Sequence, residues 1–125
     1  MNFPEQIKYA KSHEWLRQDG TTGYVGISDF AQSELGDVVF VDISASVGDE
    51  LEAGEAFGTI EAVKTVSDLY MPVSGKLLEV NQIIVDKPET INSDPYGDGW
   101  MIRIEVTGDA SNLLDSSAYS ASVGH

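Results

Sequence analysis

The sequence predicts a mainly β fold, an antiparallel sandwich or flattened barrel, from three observations. Short apolar runs of a length typical of strands recur along the chain. Turn-forming Gly, Pro and Asp residues separate these runs at close intervals, as they do in sandwiches and barrels. The run 100–106 alternates between apolar and polar residues, so that Trp100, Ile102, Ile104 and Val106 would face one side. These patterns predict layers of strands around one core.

Each strand is predicted from one apolar run. The expected strands cover residues 13–16, 24–27, 38–43, 56–60, 66–70, 76–80 and 100–106. Asp19 and Gly20 form a turn of the kind that joins two strands as a hairpin. The run 38–43 is almost continuously apolar, so this strand is expected to be buried for most of its length. Turns at 47–50 and 52–55 bracket Leu51.

Helices are predicted to be few and short. Ser28 is a favourable N-cap, and Gly36 is a favourable stop for a helix that places Phe30, Ala31 and Leu35 on one face. Residues 81–99 have a loop-like pattern, with one helical turn opened by Pro88 and ending at Ile91. Residues 112–119 are predicted to form a terminal helix that buries Leu113 or Leu114 together with Ala118.

Composition and charge exclude several classes of function. The chain has 125 residues and 42% hydrophobic content, which predicts one globular domain. It carries 21 acidic and 7 basic residues, for a formal net charge of -14. Nucleic acids and anionic membranes both reward Lys and Arg, so neither is expected as a partner. Partners with basic surfaces are favoured instead.

Targeting and membrane signals are not recognised in the sequence. The N-terminal residues lack the apolar core of a signal peptide and are not rich in arginine. No apolar run approaches the roughly 20 residues that span a bilayer. The predicted location is the cytoplasm, or the mitochondrial matrix only if a presequence was removed.

Lys64 lies within the most informative stretch of the chain, residues 60–75. Only residues 61–65 separate two predicted strands, which is too few for anything but a tight reversal. Such a reversal has its tip in water, because its backbone groups need solvent or local partners. Lysine suits covalent attachment, since a flexible stem carries one modifiable nitrogen. The alternative is an ordinary solvated surface lysine.

No self-contained catalytic apparatus is recognised. The histidines are His13 and His125, and His13, beside Trp15, is expected to be a packed or capping residue. Its spacing from Glu14 and Glu61 matches no recurrent metal-site pattern. Neither a G-x-S-x-G elbow nor a phosphate-binding glycine motif occurs. The chain contains no cysteine, so any thiol chemistry needs sulfur on an attached group. The chain is therefore predicted not to be an enzyme.

Four stretches of the sequence resemble one family, the H proteins of the glycine cleavage system. They are KYAKSHEW, GYVGISDFAQSELGDVVFVDI, GTIEAVKTVSDLYMPVSGKLLEVN and INSDPYGDGWMIRI, in this order. The resemblance covers about Tyr9 to Val106 without large insertions. It implies a barrel-sandwich hybrid like that of lipoyl and biotinyl carriers, with two small antiparallel sheets, short helices and a C-terminal helix. It also implies a single lipoyl-carrier domain over residues 1–125, with a core at about 8–106 and the C-terminal helix at about 111–120.

The resemblance implies a monomeric shuttle rather than an enzyme. The lysine of this family that matches Lys64 carries lipoate in amide linkage. The lipoyl group would take an aminomethyl group from the pyridoxal-phosphate enzyme glycine decarboxylase to the tetrahydrofolate-dependent aminomethyltransferase. Dihydrolipoyl dehydrogenase would then reoxidise the dithiol, and a lipoylating enzyme would first attach the group. Both reactive sulfurs thus belong to the cofactor, in keeping with the absence of cysteine.

The resemblance further implies a cleft for the loaded arm, near the residues that match Ser12, Glu14 and Asp68. A pair of carboxylates with a hydroxyl could hydrogen-bond the ammonium of the aminomethyl group and exclude water. Each acid, taken alone, could instead be a solvated surface charge. Glu61, three residues before Lys64, is expected to mark the hairpin for the lipoylating enzyme or another partner.

Two stretches of the sequence depart from the family pattern. Ala62 stands where the family usually has serine, and residues 43–46 replace a commoner Leu-Pro run. Neither change removes the attachment residue, so altered lipoylation kinetics are the most that we expect.

Three alternatives resemble this family or share its fold. A biotinyl carrier has methionines beside its lysine, where this chain has Val63 and Thr65. A lipoyl domain of an oxo-acid dehydrogenase would lack the HEW and DPYGDGW segments. A lipoyl-relay or unmodified scaffold protein, acting outside glycine cleavage, remains open at this point.

Overall fold

Nine strands form two antiparallel sheets in the computed structural model, which describes residues 1–124. His125, the second histidine of the sequence, lies outside the described residues. The strands are β1 (Lys8–Tyr9), β2 (Glu14–Asp19), β3 (Thr22–Ile27), β4 (Val38–Asp42), β5 (Glu50–Leu51), β6 (Ala56–Ala62), β7 (Val66–Tyr70), β8 (Gly75–Val80) and β9 (Ile102–Val106).

The two sheets differ in size and in strand order. The larger sheet has six strands in the order β1-β2-β3-β9-β8-β5, and the smaller sheet has three in the order β4-β6-β7. All strand pairings are antiparallel, and neither sheet closes on itself within residues 1–124. The mainly β prediction, with two small antiparallel sheets and short helices, is confirmed.

The main core lies between the sheets and takes side chains from both. The larger sheet contributes, among others, Leu16, Val25, Leu77 and Ile104, and the smaller sheet contributes Val41, Ile60 and Leu69. These side chains are almost completely buried. Burial of each such side chain contributes about 1.5–3 kcal/mol, so this shared core holds the smaller sheet, and with it the β6–β7 hairpin, against the larger one.

The prediction that strand 38–43 is buried for most of its length is wrong. Val38 and Val41 are buried, but Val39 and Phe40 are 54% and 52% exposed. The pairing of β4 with β6 shifts between Val38 and Phe40, which marks a bulge. A bulge adds a residue to one strand and interrupts the usual alternation. Because β4 is also an edge strand, two consecutive apolar side chains face solvent.

The first helix, α1 (Asp29–Leu35), begins and ends where the sequence predicts. The Ser28 hydroxyl accepts a hydrogen bond from the backbone N–H of Ala31 at 3.1 Å, as an N-cap does. Gly36 ends the helix with a φ of +78°, a conformation that suits glycine. The helix packs Ala31 into the core beside the smaller sheet.

The segment 81–99, expected to be loop-like, contains two short helices. They are α2 (Gln82–Asp86) and α3 (Thr90–Ser93). Asn81 caps α2, and Ile84 is fully buried. The run Ile83–Val85 is β-branched and has weak intrinsic helix propensity, so burial of one side chain rather than local preference forms this turn. The predicted turn after Pro88 is found, shifted to α3.

The terminal helix also differs from the prediction. A 3-10 turn covers Ala110–Asn112, and the final helix α4 spans Ser116–Ser122 with Asp115 as its N-cap. Leu114 is extended and exchanges backbone hydrogen bonds with Tyr9, so the helix begins later in the chain than predicted. Ala118 is exposed, and the buried residue of α4 is Tyr119. The ring of Tyr119 stacks on that of Tyr9 at 4.5 Å.

Among the described residues, no helix has both the length and the apolar character that a membrane span requires.

Candidate functional site

Lys64 lies at the tip of the hairpin that β6 and β7 form. The backbone N–H of Ala62 donates to the carbonyl of Thr65 at 2.8 Å and closes the turn. The backbone N–H of Val63 donates to the carbonyl of Asp37 at 3.0 Å. This second hydrogen bond ties the hairpin tip to the segment that follows α1. The tip is therefore held by the fold and does not extend freely into solvent.

Lys64 is exposed and has no ion-pair partner among residues 1–124. The ion pair that is found within residues 1–124 joins Arg103 to Glu79. An atom at the Cβ position of Gly36 would lie 3.7 Å from Lys64 Cε and 3.9 Å from Nζ. The positive φ of Gly36 disfavours any side chain there. The end of α1 thus leaves room for the Lys64 stem.

A cleft of about 150 Å³ opens between α1, the β1–β2 turn and the smaller sheet. Its walls include apolar side chains from α1, β6 and β7, together with polar side chains. The lining residues are Ser12, His13, Glu14, Ile27, Phe30, Ala31, Glu34, Leu35, Ile60, Ser67, Asp68 and Leu69. Leu35, which lines the cleft, directly precedes Gly36, and Gly36 lies beside the Lys64 stem. The cleft therefore extends close to the Lys64 side chain.

Glu14 is a buried carboxylate in the wall of this cleft, only 2% exposed. It accepts hydrogen bonds from the Ser12 hydroxyl and, at 3.1 Å, from the backbone N–H of Tyr70. Burial raises the pKa of Glu14 to about 7, although both hydrogen bonds act in the opposite direction. The Glu14 side chain therefore changes between its protonated and its charged form near neutral pH.

Asp68 lines the same cleft from the edge strand β7. The Tyr70 hydroxyl donates to Asp68 Oδ2 at 3.4 Å, and the two residues lie on the same side of the strand. Asp68 is opposite Thr59, whereas the neighbouring Ser67 is opposite the buried Ile60. The carboxylate of Asp68 is thus exposed at the rim of the cleft, while that of Glu14 is buried.

The structure brings three of the predicted site residues together and separates a fourth. Ser12, Glu14 and Asp68 line one cleft. Glu61 does not line it, and lies opposite Val66 on the outer face of the smaller sheet. Any role of Glu61 must therefore be exerted from outside the cleft.

His13 lines the cleft and is held in an unusual conformation. Its φ is +82°, which a non-glycine residue rarely adopts. Its Nδ1 lies 2.7 Å from the hydroxyl of Tyr119, which in turn lies 2.6 Å from Ser28 Oγ. Burial lowers the pKa of His13, and the Glu34 carboxylate acts in the opposite direction. The expected packing role of His13 is found, together with a position in the cleft that was not expected.

Glu34 is a further charged residue of the cleft that the sequence did not lead us to expect there. It lies four residues after Phe30 and three after Ala31, both on the face of α1 that was predicted to be apolar. Residues at these spacings share a helix face. The helical spacing therefore indicated that Glu34 shares this face. A charged residue at the edge of an apolar helix face is normally expected to be solvated, so its place in the cleft was not predicted.

The cleft combines apolar side chains with three carboxylates, those of Glu14, Glu34 and Asp68, which suits an apolar chain that ends in a cation. Ile27, Ile60 and Leu69 line its apolar part, while Glu14 and Asp68 supply carboxylates. Among the described residues, no cluster of His, Cys, Asp or Glu has the arrangement of a metal site.

Comparisons with known proteins identify one family. The family model described as Glycine cleavage H-protein matches residues 7–125. The glycine cleavage system H protein of Bacteroides thetaiotaomicron is 55% identical over 125 residues, which cover 98% of each chain. That of Symbiobacterium thermophilum is 54% identical over 122 residues, which cover 96% of this chain and 94% of its relative.

A solved structure is also similar. The crystal structure of a glycine cleavage system H protein from Mycobacterium marinum superimposes with a TM-score of 0.91. It is 41% identical, and the match covers 98% of this chain and 99% of that one.

Proposed function

Because the chain belongs to the glycine cleavage H-protein family, we propose that Lys64 is the residue that carries its lipoyl group. The family is the lipoyl carrier of the glycine cleavage system and a non-catalytic component of it. A lipoyl relay or an unmodified scaffold is not favoured by these similarities. The observation that carries the proposal is the exposed side chain of Lys64 on a hairpin tip beside the cleft, with no ion-pair partner in the described part of the chain.

The residues around Lys64 fit a covalently attached arm. The turn from Ala62 to Thr65 presents the amine, and Gly36 leaves space beside its stem. The apolar part of the cleft begins next to Gly36, at Leu35, and can contact a hydrocarbon chain. The lipoyl group, when bound, supplies the dithiol that carries a one-carbon amine between enzymes. The chain itself holds, orients and shields that amine.

The carboxylates that line the cleft are suited to an ammonium group. Glu14 already accepts two hydrogen bonds, and a carboxylate has further lone pairs to offer a third donor. A cation nearby favours the charged form of Glu14, whose pKa of about 7 otherwise leaves it partly protonated. We infer that Glu14 and Ser12 hold the ammonium inside the cleft and that Asp68 attracts it at the rim.

Family membership implies the other components of the glycine cleavage system as partners. We propose that this chain serves glycine decarboxylase, the aminomethyltransferase and dihydrolipoyl dehydrogenase as a single-domain monomer. A lipoylating enzyme attaches its cofactor, and the cytoplasm remains the predicted location. The net charge of -14 favours basic docking surfaces on these partners.

Reconstitution tests this proposal. The purified chain is incubated with lipoate, ATP and a lipoylating enzyme, and its intact mass and tryptic peptides are measured. We expect one lipoyl increment on the peptide that contains Lys64. The modified chain should then support release of labelled carbon dioxide from glycine by the decarboxylase. An increment on another lysine, or a modified chain that is inert in this reaction, would contradict the proposal.

Removal of either cleft carboxylate should shorten the lifetime of the carried one-carbon amine. For Glu14→Ala we expect loss of the amine as formaldehyde and ammonia to be about tenfold faster, since a charge-assisted hydrogen bond is worth roughly 1.5–3 kcal/mol. Asp68→Ala should have a smaller effect because its carboxylate is exposed. Formaldehyde release from the charged carrier is measured, with the exposed Glu105→Ala as the control. Equal rates in all four proteins would remove the acids from this role.

A further inference from the structure

We propose that the outer face of the smaller sheet is the docking surface for the enzyme that attaches the lipoyl group to Lys64. This hairpin face consists of Phe40 and Asp42 on β4, Thr59 and Glu61 on β6, and Val66 and Asp68 on β7. Asp68 lies on the edge strand, so it borders both this face and the rim of the cleft. The inference rests on the proposed function of Lys64 and adds to it the surface by which that lysine is recognised.

The strand register places these side chains in two rows on one face. Phe40 is opposite Glu61, and Glu61 is opposite Val66. Directly opposed residues of antiparallel strands project to the same side, so these three form one row across the sheet. The turn that carries Lys64 begins immediately beyond this row. Asp42, Thr59 and Asp68 form the second row, farther from the turn.

The row beside the turn is an exposed apolar pair with a carboxylate between its members. Phe40 is 52% exposed and Val66 is 59% exposed, whereas Val41, which follows Phe40, is buried. The bulge in β4 turns Phe40 outward rather than into the core. Exposed apolar side chains grouped on one face mark interaction sites, and an aromatic residue is a frequent anchor of an interface. The pair has no structural partner on its outer side in the described chain.

The charge of this face restricts the partner further. The six residues include three carboxylates and no basic group, and the nearest lysine is the substrate Lys64 itself. A complementary surface has an apolar centre with Lys or Arg around it. A second copy of this acidic chain, at -14, would meet like charges instead.

The chemistry of attachment favours the attaching enzyme over later partners. The Lys64 amine attacks the carbonyl carbon of a lipoyl acyl adenylate. The amide C–N bond forms, the bond from that carbon to the phosphate oxygen breaks, AMP leaves and the nitrogen loses one proton. At that stage the amine reaches only as far as its four-carbon stem, so the active site must close over the hairpin tip and cover the adjacent row. Later partners meet a longer arm and need not contact this row.

The inference is tested by the rate of lipoyl attachment to variants in which Val66 or Phe40 of the hairpin face is replaced. Val66→Thr changes polarity but hardly changes shape, and Phe40→Thr removes the aromatic ring while it keeps a residue that favours strands. Val47→Thr is the matched control, because Val47 is 65% exposed in the turn before β5, outside the hairpin face. Initial rates of lipoyl incorporation into the unmodified chain are measured by intact mass at several chain concentrations. Circular dichroism confirms that each variant is folded.

We expect kcat/KM to fall about tenfold for Phe40→Thr and about threefold for Val66→Thr, mainly through a higher KM, as for anchor residues of an interface. Val47→Thr should match the wild type. Unchanged rates for both face variants, or an equal loss in Val47→Thr, would overturn the docking inference alone. Failure of the wild-type chain to be lipoylated would overturn the proposed role of Lys64 as well, so the two failures are distinguishable.

Two further results would assign the face to another occupant and so overturn the inference. The first is normal attachment combined with slower glycine decarboxylation by face variants that were lipoylated beforehand. The second is a dimer of the wild-type chain in sedimentation that Phe40→Thr dissociates without any change in attachment.

Discussion

Replacement of Lys64 by arginine is expected to abolish both lipoylation and glycine decarboxylation that depends on this chain. Arginine keeps the positive charge, but its guanidinium stays protonated and cannot take the place of the amine in an amide bond. Because Lys64 is exposed and has no ion pair in the described structure, stability should change by no more than about 0.5 kcal/mol. Intact mass after incubation with the lipoylating enzyme, followed by release of labelled carbon dioxide from glycine, measures the effect.

Lys76→Arg provides the matched control for this experiment. Lys76 is also exposed, but it lies on β8 in the larger sheet, away from the hairpin tip. We expect this variant to be modified and to function as the wild type does. A lipoyl increment on the Lys64→Arg chain, or undiminished glycine decarboxylation with it, would exclude Lys64 as the attachment site.

Replacement of Glu14 by glutamine is expected to change how stability depends on pH. The pKa of Glu14 is raised in the fold from 4.5 to about 7, so the folded state binds the proton more tightly than the unfolded state does. The wild type therefore loses stability from this group as pH rises from 4.5 to about 7, by about 3 kcal/mol over the full range. Glutamine stays neutral and lacks this loss.

The free energy of unfolding of both proteins, measured with denaturant across this range, checks the prediction. The difference in stability between variant and wild type should grow in favour of the variant as pH rises. The lowered pKa of His13 acts on stability in the opposite direction, but it is present in both proteins and leaves the difference unchanged. Glu105→Gln, an equal change of charge on an exposed side chain, is the control. A constant difference between Glu14→Gln and wild type would show that Glu14 ionises in the fold as it does in the unfolded chain.

Local patterns predicted those parts of the fold in which neighbouring residues decide the structure. Ser28 and Gly36 delimit α1 because capping is an interaction within one helical turn. The hairpin that carries Lys64 follows from two apolar runs and a short gap between them.

The errors arose where distant contacts override local preference. The bulge and the edge position of β4 expose Phe40, and neither can be recognised from an apolar run. Residues 82–86 become helical because Ile84 finds a buried site. Leu114 is drawn into extended pairing with Tyr9, more than 100 residues earlier, and this moves the start of the last helix.

The sequence by itself determined the position of Lys64 between two strands, the alternation of strands and turns, the acidic charge and the absence of cysteine, because these are properties of residue type and spacing. Only the tertiary structure decided that Glu14 is buried while Asp68 stays at the rim, that His13 meets Tyr119 at the cleft wall, and that Glu61 lies outside it between Phe40 and Val66. Burial and strand register depend on which distant segments pack together, and a carboxylate's pKa follows its burial. The lysine that we propose as the attachment residue was therefore visible in the chain, whereas its surroundings appear only once the sheets are assembled.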